Sequence, residues 1–150
     1  EQALLLAPQL EVVARAIGWG QIDGGGAPDQ LQETDLPVIS NVDCNQIIGE
    51  IYGTITARNI CAGATDLGTG VCFGDSGGPL LVRDGADWYQ VGISSFLIPR
   101  SVCGSQPQAF ARVSALIDYI ASIAGYEDSG SWLIDWSEGA EAVRNFGNFH

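Results

Sequence analysis

The residues best suited to chemistry are gathered in one stretch, Gly74-Asp75-Ser76-Gly77-Gly78-Pro79, with Cys72 two residues before it. A serine hydroxyl is a weak nucleophile until a base takes its proton and donors stabilise the oxyanion that follows its attack. Glycines flanking a serine let the main chain turn sharply and aim N–H groups at one point. Ser76 is therefore the candidate nucleophile for acyl transfer, and the N–H groups of Gly74 and Ser76 are the candidate oxyanion donors. Loss of one such donor costs on the order of 3 kcal/mol of transition-state stabilisation. A structural glycine turn competes evenly with this reading for a bare Gly-x-Ser-x-Gly, but the longer run with its upstream cysteine is far more specific.

The mechanism also needs a proton acceptor and a group to orient it, usually His and Asp. The single histidine is the terminal His150, a poor candidate on a tail. Four cysteines stand at 44, 61, 72 and 103 with no Cys-x-x-Cys pair, so neither a metal site nor a cofactor is expected. Two disulfides formed in an oxidising, extracellular compartment are the economical reading, and a secreted protein is expected.

The elements that must hold the serine are short. A chain of 150 residues, 46% hydrophobic, fits one domain with a sizeable core, and no apolar run is long enough to span a membrane. A strand is expected over 10–16, then a glycine-rich loop over 21–30, and a second strand over 31–40 with Pro37 at an edge or end. Asn41 or Asp43 can cap a short helix through Ile48. Further strands are read at 59–62, 79–83, 88–95 and 108–113, with Asp84-Gly85 marking a hairpin. Short strands without a βαβ rhythm point to an antiparallel barrel. Ser114 is read as the cap of a helix to Ala124 whose stripe of Leu116, Tyr119, Ile120 and Ile123 packs on the barrel.

Residues 126–150 differ, with five acids and the aromatics Trp132, Trp136, Phe146 and Phe149. They read as an extension that docks on a nearby apolar surface, or as a partner-binding or autoinhibitory tail. Charge is lopsided throughout, 18 acidic residues against 6 arginines and no lysine, a net of −12. Such a surface repels phosphate and anionic lipid, so nucleic-acid and membrane partners are not expected. The charge fits solubility in a secreted fluid, and scarce basic cut sites would also help survival among digestive proteases. No Asn-x-Ser/Thr sequon occurs.

These features resemble the chymotrypsin family of serine peptidases over about residues 14–124. The nucleophile run is joined by Gly18-Trp19-Gly20, by Cys44 with Asn59-Ile60-Cys61-Ala62-Gly63, by Ser95-Phe96 and by Pro107–Val113. The resemblance implies an all-β fold: the C-terminal antiparallel β-barrel of the trypsin-like double barrel, followed by a C-terminal helix and an extension. It divides the chain into an inter-barrel connection (1–13), the barrel and helix (14–125) and the acidic extension (126–150). It implies the bridges Cys44–Cys61 and Cys72–Cys103. A third bridge common in the family would join the positions of Ala14 and Val82, where packing is expected instead.

In this family the His and Asp lie on the first barrel. The resemblance thus implies a two-chain enzyme, this chain being the C-terminal piece of something longer, held to its N-terminal partner without a disulfide. Asp75 matches the residue that pairs with the freed amino terminus on activation. The pocket positions match Gly70 at the floor, Val71 beside it, Phe73 at the rim, Ser95, Phe96 and Leu97 on the wall, and Gln108. Gly70 carries no carboxylate, so plain trypsin specificity is not expected. The glycine floor with Phe after Ser is similar to the arthropod brachyurins, and an acid often found at the position of Gln108 is absent. Expected substrates are peptides and proteins cut after uncharged residues such as Leu, Phe, Tyr or Ala, and expected partners include protein inhibitors. The competing readings are a non-catalytic homologue acting as a binding or regulatory module, and an inactive remnant whose tail serves an interaction.

Overall fold

The computed structural model describes residues 12–23, 25–49, 54–63, 68–97 and 102–124. The incoming connection up to residue 11, the acidic extension and His150 lie outside the described residues.

Six strands alternate inward and outward side chains and close into an antiparallel barrel: β1 (Val13–Gly18), β2 (Gln32–Ile39), β3 (Asn59–Gly63), β4 (Pro79–Asp84), β5 (Asp87–Phe96) and β6 (Pro107–Arg112). Their order around the barrel is β1-β2-β3-β6-β5-β4. Closure removes the exposed edges that an open sheet would present. The interior is filled by Ala14, Ala16, Leu36, Ile60, Val71, Leu80, Val91 and Phe110, with Val82 and Leu97 packed against them. Gly92 makes room at the centre, since a Cβ there would meet Phe110, Leu80 and Ile60 at 3.0–3.2 Å.

Ala14 is fully buried and Val82 packs on the same core. The two sit one step beyond the paired Arg15 and Leu81 on neighbouring strands, so apolar packing joins β1 to β4 there. Pro37 lies inside β2, opposite Val13 at the end of the β1 ladder, and pairing to β3 begins at the next residue, Val38. The Val38 N–H still donates to the Val12 carbonyl at 2.8 Å, so the nitrogen of Pro37 faces the other side, where pairing with β3 has not begun and no donor is needed, as expected for an edge position.

Ser40, rather than Asn41 or Asp43, caps α1 (Asn41–Cys44), accepting from the Asp43 N–H at 3.0 Å while its hydroxyl donates to the Asp43 carboxylate at 2.7 Å. A π-helical turn, Asn45–Gly49, follows. The β4–β5 hairpin turns through Gly85 at φ 59°, the left-handed conformation that glycine adopts without strain.

The C-terminal end differs from expectation. A 3-10 turn, Val113–Ala115, precedes α2 (Ile117–Ala124), so Ser114 lies within the turn and caps nothing. No residue of α2 is buried, and Tyr119 and Ile123 are 68% and 74% exposed. The stripe is divided: Leu116 and Ile120 are partly buried, whereas Tyr119 and Ile123 face outward.

Candidate active site

The Ser76 loop leaves the barrel at Pro79 and is fastened to its wall by β5. Ser94 accepts from the Gly77 N–H at 2.9 Å and donates its own N–H to the Gly78 carbonyl at 2.8 Å. Gly78 has no room for a side chain, because a Cβ would lie 2.9 Å from the Asp75 carbonyl oxygen. Gly74 and Gly77 take φ values of 98° and 82°, which only glycine adopts readily. The turn closes through Asp75 N–H to Cys72 C=O at 3.0 Å. Ser76 itself is exposed.

Among the described residues, no hydrogen bond occupies the N–H of Gly74 or of Ser76. Two unspent donors beside an exposed serine are what an oxyanion site requires. No described residue is a histidine, so the described residues hold a nucleophile and donors without a proton acceptor.

Asp75 points away from this face. Its Oδ1 accepts from the Gly20 N–H at 2.7 Å and its Oδ2 from the Cys72 N–H at 2.9 Å. Gly18-Trp19-Gly20 forms the cradle, since a Cβ at either glycine would overlap the carboxylate (2.0 Å from Oδ1 for Gly18, 2.3 Å from Cγ for Gly20). The Gly-x-Gly spacing was visible in the sequence; its purpose becomes visible only with Asp75 in place. A second tie runs from the Gln21 N–H to the Phe73 carbonyl at 2.8 Å. Beside Asp75 opens a cavity of about 400 Å³, lined by Ile17, Gly18, Thr34, Gly70 and Asp75 among others.

The other residues that the sequence suggests for a substrate pocket lie on the segment before Ser76, on β6 and at the end of β5. Gly70 and Val71 cross one end of the barrel interior, and Gln108 rises from β6 beneath them. Gln108 Oε1 accepts from the Val71 N–H at 3.0 Å and Nε2 donates to the Val71 carbonyl at 2.8 Å. On β5, Ser95 is the extra residue of a β-bulge, for Ser94 pairs with Phe110 and Phe96 with Ala109. A bulge frees the main chain of its extra residue from the ladder. Phe96 packs outward on the second apolar cluster, with Cys44, Ile48, Ile55, Cys61 and Ala109, whereas Leu97 packs on the barrel core. Phe73 stands 66% exposed next to Gly74.

Cys44 is bridged to Cys61 and Cys72 to Cys103. The second bridge ties the segment leading into Ser76 to the segment leading into β6. Among the described residues no cluster of side chains could hold a metal ion, and no helix is long and apolar enough to cross a membrane.

The sequence matches the family model described as Trypsin over residues 4–120. It is similar to mouse transmembrane protease serine 11G, 40% identical over 110 residues covering 70% of this chain and 25% of that protein. It is also similar to the brachyurin of Leptuca pugilator, 36% identical over 115 residues covering 75% of this chain and 47% of that protein. The chain thus spans between a quarter and about half the length of these relatives.

Proposed function

Because this chain belongs to the trypsin family of chymotrypsin-like serine proteases, we propose that it supplies the nucleophile and oxyanion hole of a serine endopeptidase. Ser76 Oγ attacks the peptide carbonyl while its proton passes to a histidine carried on the N-terminal half of the protein. The N–H groups of Gly74 and Ser76 receive the oxyanion. The C–N bond then breaks, the amine leaves with the proton held by the histidine, and water releases the acyl group from Ser76. The observation that carries this reading is the exposed serine beside two unspent N–H donors, on a loop anchored at Ser94.

The missing His and Asp belong, in this proposal, to a first barrel that residues 1–13 connect to the barrel and helix of 14–125. The partner half is held non-covalently, since all four cysteines are consumed within this chain. Asp75 serves activation: the cavity beside it is open to an amino terminus, whose positive charge the carboxylate would meet. Gly70, Val71, Phe73, Ser95, Leu97 and Gln108 form the substrate pocket, with Phe96 turned onto the second apolar cluster behind its wall, and the pocket takes uncharged side chains before the cut. The two disulfides fit an extracellular site of action. Similarity to a brachyurin supports the same class of activity.

Peptide-library cleavage by the full-length protein carrying both halves tests this. Cuts after Leu, Phe, Tyr or Ala are expected, and cleavage dominated by Arg or Lys would contradict the pocket assignment.

A further inference from the structure

We propose that the acidic C-terminal extension folds back onto the corner formed by Arg58 and Arg112, where carboxylates among Asp135, Glu138 and Glu141 supply the counter-charge of a half-buried guanidinium. This inference is independent of the peptidase reading above.

Arg112 ends β6 and is partly buried. Its main-chain N–H donates to the Arg58 carbonyl at 2.8 Å and its Nε to the Asn59 carbonyl at 3.0 Å, so the side chain lies over the turn that enters β3. Exposed Arg58 brings a second arginine to the same turn. The Asn59 carbonyl is already shared with Asn41 Nδ2 at 3.2 Å, and the two terminal nitrogens of Arg112 make no hydrogen bond among the described residues.

No carboxylate offsets this charge. Both ion pairs among the described residues belong to Arg15, with Glu33 and Asp35. Burial pushes the Arg112 guanidinium below its ordinary value, and no neighbouring acid acts against that. A charge withdrawn from water without a partner is costly. It is also unexpected in a chain holding 18 acids against 6 arginines. Two free nitrogens on one side of a guanidinium fit a carboxylate that accepts from both.

The extension carries the acids and starts within reach. Arg112 leads through the Val113–Ala115 turn into α2, so Arg112 and the start of the extension lie at the two ends of that helix. Eight residues of helix are about 12 Å long. Glu127 and Asp128 follow the helix too closely to retrace it with any slack. Asp135 lies eleven residues past Ala124, a span of up to roughly 36 Å when extended, and Glu138 and Glu141 have longer tethers still. Tethering raises the local concentration of these carboxylates to about the millimolar range, so a pairing weak between separate molecules suffices here.

Hydrogen exchange read by mass spectrometry tests this on the full-length protein, in a Ser76→Ala background that cannot digest itself. Deleting residues 126–150 is expected to speed exchange in peptides covering 54–62 and 110–116 by about three- to fivefold. Neutralising only Asp135, Glu138 and Glu141, to Asn, Gln and Gln, should reproduce that gain while leaving every barrel residue in place. Arg112→Gln should speed exchange within 126–150, and Arg112→Glu combined with Lys at the three acidic positions should restore protection there. Exchange at 54–62 and 110–116 that is unmoved by the deletion overturns the proposal, since the counter-charge then comes from elsewhere, such as the N-terminal half. Protection that survives neutralisation of the three acids also overturns it, because the extension then docks through its aromatics alone. Neither outcome bears on whether Ser76 reacts.

Discussion

The Ser76 loop and the Gln108–Val71 junction treat their polar groups in opposite ways. At the junction, the buried amide has its oxygen and nitrogen each bonded, and the Val71 N–H and C=O are both spent on it. In the loop, the N–H groups of Gly74 and Ser76 have no bond among the described residues, and the serine stands exposed. The difference lies in solvent access. Water can serve an unpaired donor at the surface, whereas an unpaired buried one costs about 1–3 kcal/mol. Groups meant to receive a reacting atom can stay open only where they face outward. Groups that set the shape around them are closed off inside.

The largest break in this comparison is Ser76→Ala. Hydrolysis by the full-length protein should fall by about 10³-fold or more, with thermal stability nearly unchanged because the exposed hydroxyl makes no bond among the described residues. Next is Asp75→Asn, which presents an NH₂ to one of the two main-chain N–H groups that now donate to the carboxylate. About 1–3 kcal/mol of local stability should be lost, read as slower fluorophosphonate reaction, and Gly20→Ala should reproduce it by displacing the same group.

The disulfides sharpen the contrast. They span 31 residues for Cys72–Cys103 and 17 for Cys44–Cys61, so removing either should cost about 3–4 kcal/mol by loop entropy. Denaturant melts should show similar losses for both, while only loss of Cys72–Cys103 should also slow reaction at Ser76.

The smallest effect is on the outer face. Arg15 donates to Asp35 through two nitrogens, at 2.8 and 3.0 Å, and this hydrogen bonding holds the Asp35 carboxyl below its usual range. A folded value below the unfolded one means that the bond contributes above the unfolded pKa and is lost as pH falls through the folded one. The pair is largely exposed, so Asp35→Asn should lower the melting temperature only slightly at pH 7 and by still less at pH 3, without changing activity.

Much of the barrel was legible because its strands alternate and its turns carry glycine, as at Asp84-Gly85. The Ser76 loop was legible because steric demands at four glycine or proline positions leave few other sequences. Pro37 is legible as an edge residue, because a proline lacks the N–H that a paired neighbour would use. The spacing on α2 is helical, but which of its apolar residues are covered depends on packing that local sequence does not encode. The resemblance marks Gln108 as a pocket position that lacks an acid, and says nothing of its bonds. The bonds to Val71 cross 37 residues, and the local hint is a lone amide in the otherwise apolar run Pro107–Ala111. Likewise Gly18 and Gly20 stood out as a motif, yet their reason is a carboxylate 55 residues beyond Gly20.

In the proposed enzyme, Ser76 is an activated nucleophile once the whole protein is assembled. Reaction of the full-length protein with a fluorophosphonate, followed by mass spectrometry of the modified peptide, tests it most directly. One label is expected, on Ser76, absent from the Ser76→Ala protein. An assembled, folded protein with no label at Ser76 would contradict it.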